Sequence, residues 1–265
     1  MQLRLSLLMI LLSQPVWAAD YACLIEPRQT LKLAASVQGV VASLAVDRGD
    51  PVHKGQLVAE LDSEVERANV LIARLRAGNT TEVESSRAKM EFLKRKVARA
   101  ESLRATSFVA ASAIDEASSD ARVAEAQMHE QQLNLAQSQL EAKRAEGLLR
   151  QRQVFSPVDG VVTEVALGVG EFRNDQAHIL TVAELDPLRI EAFLPIAAYG
   201  HVKPGDALEV LPEAPVGGVY QAKVTVVDRV FDAASDTIGV RLELPNPGLA
   251  LPAGIHCRLR LKDLP

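Results

Sequence analysis

Apolar positions recur along this chain with three different periods, and each change of period marks a part. Residues Leu5 to Leu12 are almost uniformly apolar. Residues 37–62 and 154–186 alternate apolar and polar positions between turn formers, the pattern of short strands joined by tight turns. Between them, Ser63 to Gln153 lacks proline and is rich in Ala, Glu, Arg, Gln and Leu, all compatible with helix. Here Ile114, Ala117, Ala121, Ala124, Met128, Gln131, Leu135, Ser138, Ala142, Ala145 and Leu149 follow one another at steps of three and four. That is a sustained heptad seam. Val83, Ser86, Met90, Leu93, Val97 and Ala100 keep the same rhythm, so two arms can zip antiparallel with a turn near Thr106 to Ser112. At 1.5 Å per residue, arms of about 40 residues give a rod of roughly 60 Å. Gly78-Asn79 interrupts the first arm and leaves two readings open. Either a capping box of Thr81 and Glu84 restarts the helix, or one continuous helix tolerates the glycine.

The flanking segments are copies of each other. Gly39-Val40-Val41, Leu44-Ala45-Val46, Gly49-Asp50 and Ala59-Glu60-Leu61-Asp62 reappear as Gly160-Val161-Val162, Val165-Ala166-Leu167, Gly170-Glu171 and Ala183-Glu184-Leu185-Asp186. Two such halves can close on each other as a pseudo-symmetric sandwich, burying faces that neither hides alone. The chain therefore leaves this domain at Asp62, builds the hairpin and returns. Flexible joints are expected near Asp62 and Asp186.

After Pro187 the strand pattern resumes at Leu188 to Leu194, Ala207 to Leu211, Val219 to Val230, Thr237 to Leu244 and Ile255 to Leu261, with a short helix over Ile196 to His201. Antiparallel strands of this number and spacing suggest a small barrel. The stretch Leu24 to Ser36 is partly strand-like and is expected to run beside that barrel on its way to the sandwich.

Composition narrows the function. The opening apolar run, preceded by Arg4 and followed by Val16-Trp17-Ala18, reads as a secretory signal cleaved after Ala18. A net charge of -5 argues against nucleic acid or anionic lipid as a principal partner, because both require a clustered basic face. With aromatic residues at 4% of the chain, the core is aliphatic, unlike the aromatic walls common in ligand pockets. His53, His129, His178, His201 and His256 are scattered without the spacing of a metal site or a catalytic triad. Met90 and Met128 occupy seam positions and read as packing. No cofactor, metal or catalytic residue is expected. Export to an oxidising compartment leaves Cys23 and Cys257 either as two thiols or as one disulfide. The path of the N-terminal stretch beside the barrel favours a tether from Cys23 to the last barrel strand.

The order of parts, and above all the split Gly-Val-Val repeat, resembles the periplasmic adaptors. These are also called membrane fusion proteins, of the hemolysin-secretion (HlyD-like) and RND multidrug-efflux kinds. The resemblance covers essentially the whole chain after residue 18. It implies an α+β fold: a split lipoyl-like (biotinyl-lipoyl) sandwich interrupted by a long antiparallel coiled-coil hairpin and followed by a small antiparallel β-barrel. The parts are then a signal peptide (1–18), an N-terminal strand segment beside the barrel (19–36), sandwich halves (37–62 and 154–186), the hairpin (63–153) and the barrel (187–265).

In that family the hairpin tip presents Arg, Leu, Ser and Asp at set spacing to an outer-membrane channel. Arg99, Leu103 and Asp115 match, whereas Ala110 takes the serine's place, with Ser107 and Ser112 nearby and Phe108 close to the turn. The resemblance further implies a location in the Gram-negative periplasm, a homo-oligomeric ring, commonly of six subunits, and an inner-membrane transporter of RND or ABC type against the barrel. Too few residues remain at the termini for the membrane-proximal domain of many relatives. Two other readings exist: a lipoyl or biotinyl carrier-type enzyme domain, and a structural coiled-coil protein of the envelope. A carrier presents a lysine on the turn between half-repeats, but here the hairpin replaces that turn and Lys54 lies inside the first copy. A purely structural rod leaves the two flanking β units unexplained.

Overall fold

The computed structural model describes residues 19–104 and 110–261. The chain begins with β1 (Ala19–Glu26), β2 (Gln29–Leu33), β3 (Gly39–Leu44), β4 (Pro51–Val52) and β5 (Leu57–Leu61). Three helices follow, α1 (Glu64–Ala77), α2 (Thr81–Arg104) and α3 (Ala111–Gln151). Then come β6 (Gln153–Phe155), β7 (Gly160–Val165), β8 (Phe172–Arg173) and β9 (Leu180–Glu184). The last part holds β10 (Leu188–Pro195), β11 (Ala207–Pro212), β12 (Tyr220–Val227), β13 (Thr237–Leu244) and β14 (Ile255–Leu261).

The two copies of the repeat build two four-stranded sheets, ordered β2-β9-β7-β4 and β6-β5-β3-β8. Exchanging β2 with β6, β3 with β7, β4 with β8 and β5 with β9 turns one order into the other. Each half thus gives two strands to each sheet, and neither half is a sheet by itself. The backbone shows the same exchange. Gly49 donates to the Val162 carbonyl at 2.8 Å and Val162 donates to Asp50 at 3.0 Å, while Gly170 donates to Val41 at 2.8 Å and Val41 to Glu171 at 2.9 Å. Val41 and Val162 are buried between the sheets with Leu33, Val58, Leu61, Ile179, Leu180 and Val182.

This topology corrects the reading of residues 19–36 as one strand segment beside the barrel. β2 pairs with β9 from Gln29 to Leu33, so it belongs to the sandwich as the counterpart of β6. Only β1 joins the barrel, and it is a stave of it, closing the ring between β10 and β14. The order around the closed barrel is β1-β10-β13-β12-β11-β14. Alternate residues point inward, as the period of a strand demands: Leu188, Ile190, Ala192 and Leu194 from β10, Ile238, Val240, Leu242 and Leu244 from β13. Two local expectations shift. The helix expected over Ile196 to His201 is a single 3₁₀ turn, Ile196–Ala198. The strand expected to reach Val230 leaves the ladder after Val227, and Asp232 then accepts the N–H groups of Ala234 and Ser235 in a turn.

In the hairpin every residue assigned to the α3 seam is buried or half-buried, as are Val83, Ser86, Met90, Leu93, Val97 and Ala100 of α2. The first arm is segmented. In α1 the inward residues are Val70, Ala73 and Ala77, and the next inward residue is Val83. That is a step of six where a heptad needs seven, so a continuous helix would rotate one segment off the seam. Residues 78–80 absorb the slip. The restart uses Thr80 rather than Thr81: the Thr80 hydroxyl donates to Glu84 at 2.7 Å, and Asn79 Oδ1 accepts the Thr81 N–H at 3.2 Å.

Candidate functional site

Three places in this fold can carry function: the hairpin tip, the hairpin root and the junction of sandwich and barrel. At the tip, α2 ends at Arg104 and α3 begins at Ala111, with Ala110 extended at ψ 145 before it. Arg99, Leu103, Ala110, Ser112 and Asp115 are all exposed, whereas neighbouring Ile114 is buried in the seam. Phe108 and Ser107 lie outside the described residues. Helical spacing places Arg99 and Leu103 on the flank of Lys96, whose ammonium meets Asp120 at 3.4 Å. Asp115 shares instead the spacing of Ser118 and Glu125, the flank on which Lys94 meets Glu125 at 2.8 Å. The candidate tip residues therefore do not converge on one face of a single hairpin.

Charge is segregated around the tip. From Arg87 to Arg104, α2 carries seven basic residues and two acidic ones, whereas α3 from Ala111 to Glu141 carries six acidic residues and one basic. Cations then gather at the C-terminal end of α2 and anions towards the N-terminal end of α3, each favourable for the helix dipole it meets.

At the root, the chain crosses between sandwich and rod twice, and both crossings are tied. Glu60, at the end of β5, is only 7% exposed. Its carboxylate accepts from the Ser63 hydroxyl at 2.7 Å, from Arg67 of α1 at 2.5 Å and from Gln153 of β6 at 3.5 Å. Burial alone would raise its pKa, but the hydrogen bonds from Arg67 and Ser63 and the Arg67 charge outweigh it and hold the carboxyl below the usual range. Ser63 makes no side-chain cap bond to α1, its hydroxyl being engaged by Glu60 and Arg67. On the return crossing Arg152 meets Glu66 of α1 at 2.7 Å and donates to the Gln38 carbonyl at 3.3 Å, while Leu61 donates to the Arg152 carbonyl at 2.9 Å.

At the barrel junction Asn246, 1% exposed, binds the connecting segment. Its backbone N–H donates to Asp186 at 2.8 Å, its amide donates to the carbonyls of Leu185 and Leu251, both at 2.9 Å, and its Oδ1 accepts from Leu251 at 2.8 Å. Glu184 accepts from Arg28 and Gln29, and Arg189 pairs with Glu26 at 2.7 Å. Hydrogen bonds thus occupy both places where the sequence suggests loose joints, near Asp62 and Asp186. Nothing in the sequence marks Asn246, because an Asn before proline in a loop reads as an ordinary turn former.

Cys23 lies opposite Cys257 in the pairing of β1 with β14, with Cα atoms 4.8 Å apart and the sulfurs bonded to each other inside the barrel. Lys54 sits in the exposed turn after β4, its N–H donating to Asp159 at 3.1 Å. That bond and one from His53 hold the Asp159 carboxyl below its usual range. Among the described residues no group of His, Cys, Asp and Glu could hold a metal ion, and no helix is long and apolar enough to cross a membrane.

Comparisons with known proteins agree with this architecture part by part. Residues 29–184 match the CzcB-like barrel-sandwich hybrid domain and residues 188–264 match the CusB-like beta-barrel domain. The first match begins at β2, where the topology also starts the sandwich. The pyoverdine export membrane fusion protein PvdR of Pseudomonas putida is 32% identical over 185 residues, which is 68% of this chain and 47% of that protein. An uncharacterized protein of Haemophilus influenzae is 24% identical over 239 residues, 90% of this chain and 56% of its own length. The chain thus spans about half the length of these curated relatives. The crystal structure of MacA from Actinobacillus actinomycetemcomitans superposes with a TM-score of 0.64 at 25% identity, covering 92% of this chain and 78% of MacA. With the barrel-sandwich hybrid matched over residues 29–184, more than half of this chain, and the barrel matched behind it, this chain belongs to the membrane fusion proteins, the family of periplasmic efflux adaptors.

Proposed function

We propose that this chain is the periplasmic adaptor of a tripartite export system in a Gram-negative envelope, joining an inner-membrane transporter of RND or ABC type to an outer-membrane channel. The observation that carries the reading is the rod. α3 alone has 41 residues, about 60 Å of helix, emerging from a sandwich whose own core is complete without it. A rod of that length adds nothing to the sandwich core and serves to reach. The leader over residues 1–18 delivers the chain to the periplasm. The barrel faces the transporter, and Arg99, Leu103, Ala110, Ser112 and Asp115 face the channel. The role is mechanical and involves no bond chemistry: the chain holds two membrane complexes in line and passes the state of one to the other.

Photocrosslinking in intact cells tests this. A reactive amino acid at exposed Ser112 is expected to capture an outer-membrane channel, and one at Val226 on the barrel wall a transporter. Capture of a transporter from Val226 with no channel from Ser112, or from a second probe at Asp115, would overturn the bridging role.

A further inference from the structure

The two ends of the barrel differ. At one, Glu26 pairs with Arg189 and the connector from the sandwich enters at Leu188. At the other, β1 opens at Ala19 opposite Leu261 of β14, β10 ends at Pro195 opposite Thr237, and residues 228–236 connect β12 to β13. The sandwich has a matching polarity. Arg28, Gln29 and Glu184 gather with Lys54 and Asp159 at its barrel end, whereas Gln38, Leu61 and Arg152 meet at the hairpin root. The free rim of the barrel therefore lies at the opposite end of the molecule from the hairpin root.

That rim carries a braced apolar prong. In the connector from β12 to β13, Val230 is 84% exposed, more than any other large apolar side chain among the described residues, and Phe231 beside it is 40% exposed. The backbone under the prong is held. The Asp228 N–H donates to the Gly239 carbonyl at 2.9 Å, and Asp232 and Thr237 exchange backbone bonds at 3.0 and 3.3 Å. The ring of Phe231 stands edge-on to that of Tyr199, centroids 4.9 Å apart, so the segment after the 3₁₀ turn supports it from the side. Tyr199 is itself exposed. Apolar residues scattered singly over a surface are ordinary, but an aliphatic tip braced by two aromatic rings at a free end of the molecule is not of that kind.

We propose that this rim rests on the periplasmic face of the inner membrane, with Val230 and Phe231 inserted among the lipids and Tyr199 at the level of the headgroups. Shape favours lipid over protein. The tip is convex, and a fluid apolar medium receives it without the matching concave pocket that a protein partner would have to supply. Position agrees: on the adaptor reading, on which this inference rests, the rod points towards the outer membrane and the opposite rim towards the inner one. Ala19 opens β1 at this same rim, so the leader over residues 1–18 releases the chain with the rim against the bilayer just crossed. Charge decides the kind of lipid. Asp228, Asp232 and Asp236 flank the tip against Arg229, so an anionic surface does not attract it and the contact is apolar. A tyrosine, apolar in body and polar at its end, suits the boundary. The transporter then meets the wall of the barrel rather than its rim.

The chain after residue 18 contains no tryptophan, Trp17 lying in the leader, so a single introduced tryptophan reports its own surroundings. Val230→Trp in the exported chain, residues 19–265, is titrated with vesicles of phosphatidylcholine and phosphatidylethanolamine, with and without brominated acyl chains. The expected result is a blue shift half-complete at about 1 mM lipid, the range for burying two apolar side chains. Brominated lipid should quench the emission, and added salt should leave the shift unchanged. Adding Phe231→Ser should raise the lipid required by at least about tenfold. Phe193→Trp on the barrel wall and Phe172→Trp on the sandwich, both at exposed positions, should show neither shift nor quenching. No shift at Val230→Trp, or equal shifts at all three positions, would overturn the proposal. So would a photoreactive residue at Val230 that captures protein and no lipid in intact cells. None of these results decides the adaptor reading, which stands or falls with capture of a channel from Ser112.

Discussion

Gly160 of β7 runs so close to the backbone of Ala183 in β9 that an added Cβ would lie 3.0 Å from the Ala183 carbonyl carbon and closer still to its oxygen. The repeat's other leading glycine, Gly39, faces softer neighbours, the tip of Arg152 at 2.9 Å and Leu61 Cδ1 at 3.3 Å. Gly160→Ala is therefore expected to destabilise the sandwich by about 1–3 kcal/mol, the usual cost of overpacking. Gly39→Ala should cost clearly less, since a side-chain end moves more easily than a strand. Urea unfolding of the two variants compares them directly, and equal losses would contradict the backbone contact.

Glu60 gives the root an acid sensitivity with a definite sign. Its folded-state pKa lies below the ordinary glutamate value of about 4.3. The contribution is therefore fully present at neutral pH and disappears as pH falls from that value through the lowered one. Glu60→Gln should lose about 1–3 kcal/mol at pH 7, the cost of leaving a buried hydrogen-bonded group mismatched. The gap from wild type should narrow below about pH 4. Parallel thermal melts at pH 7 and pH 3.5 measure the gap, and a gap independent of pH would show that the charge of Glu60 is not what counts.

Asn246 satisfies groups that solvent does not reach. Its replacement by alanine leaves the Leu251 N–H and the Leu185 and Leu251 carbonyls without the partners they now have. A loss of about 3 kcal/mol is expected, at the upper end for buried polar groups left unpaired. Limited proteolysis should then cut first in the connector around Asp186. An Asn246→Ala protein with wild-type stability would mean the connector is held by other contacts.

The bond between Cys23 and Cys257 closes a loop of 234 residues. Both sulfurs sit inside the barrel, where Cys23 and Cys257 are 5% and 2% exposed. Alkylation of the exported protein in denaturant without reductant should add no mass, and reduction should lower the stability of the barrel by about 2–4 kcal/mol. Two alkyl groups added without reductant would show that the thiols are free in the cell.

Much of this molecule is legible because its signals are periodic. The α3 seam is readable residue by residue: eleven positions from Ile114 to Leu149 keep one rhythm, and all of them face inward. The split repeat is equally plain, since Gly39 and Gly160 each open a strand at a close approach. What escapes is local and non-periodic. Strand β2 resembles β1 in pattern but not in destination, because the partner of a strand lies on another part of the chain; only its place ahead of Gly39, matching that of β6 ahead of Gly160, could have assigned it. Propensity leaves the break at Gly78 open, because its backbone, at φ -88 and ψ -9, is one any residue adopts. The deciding signal was the six-residue step from Ala77 to Val83. At the tip, sequence spacing names Arg99, Leu103 and Asp115 but says nothing of their flanks, which depend on how α2 and α3 are rotated against each other.

The exchange of strands between the two sheets makes the order of folding a matter of reach. Leu61 and Arg152 are hydrogen-bonded neighbours, yet ninety residues of chain separate them. Closing so long a loop at random is slow, and the contacts that would reward it are all non-local. Zipping of α2 against α3 by short sequence steps is the expected alternative, each step drawing Leu61 and Arg152 nearer. The hairpin therefore acts as a clasp that delivers the second half of the sandwich to the first. Shortening both arms by matched heptads should leave that delivery intact, whereas shortening one arm alone would bring the halves together out of register.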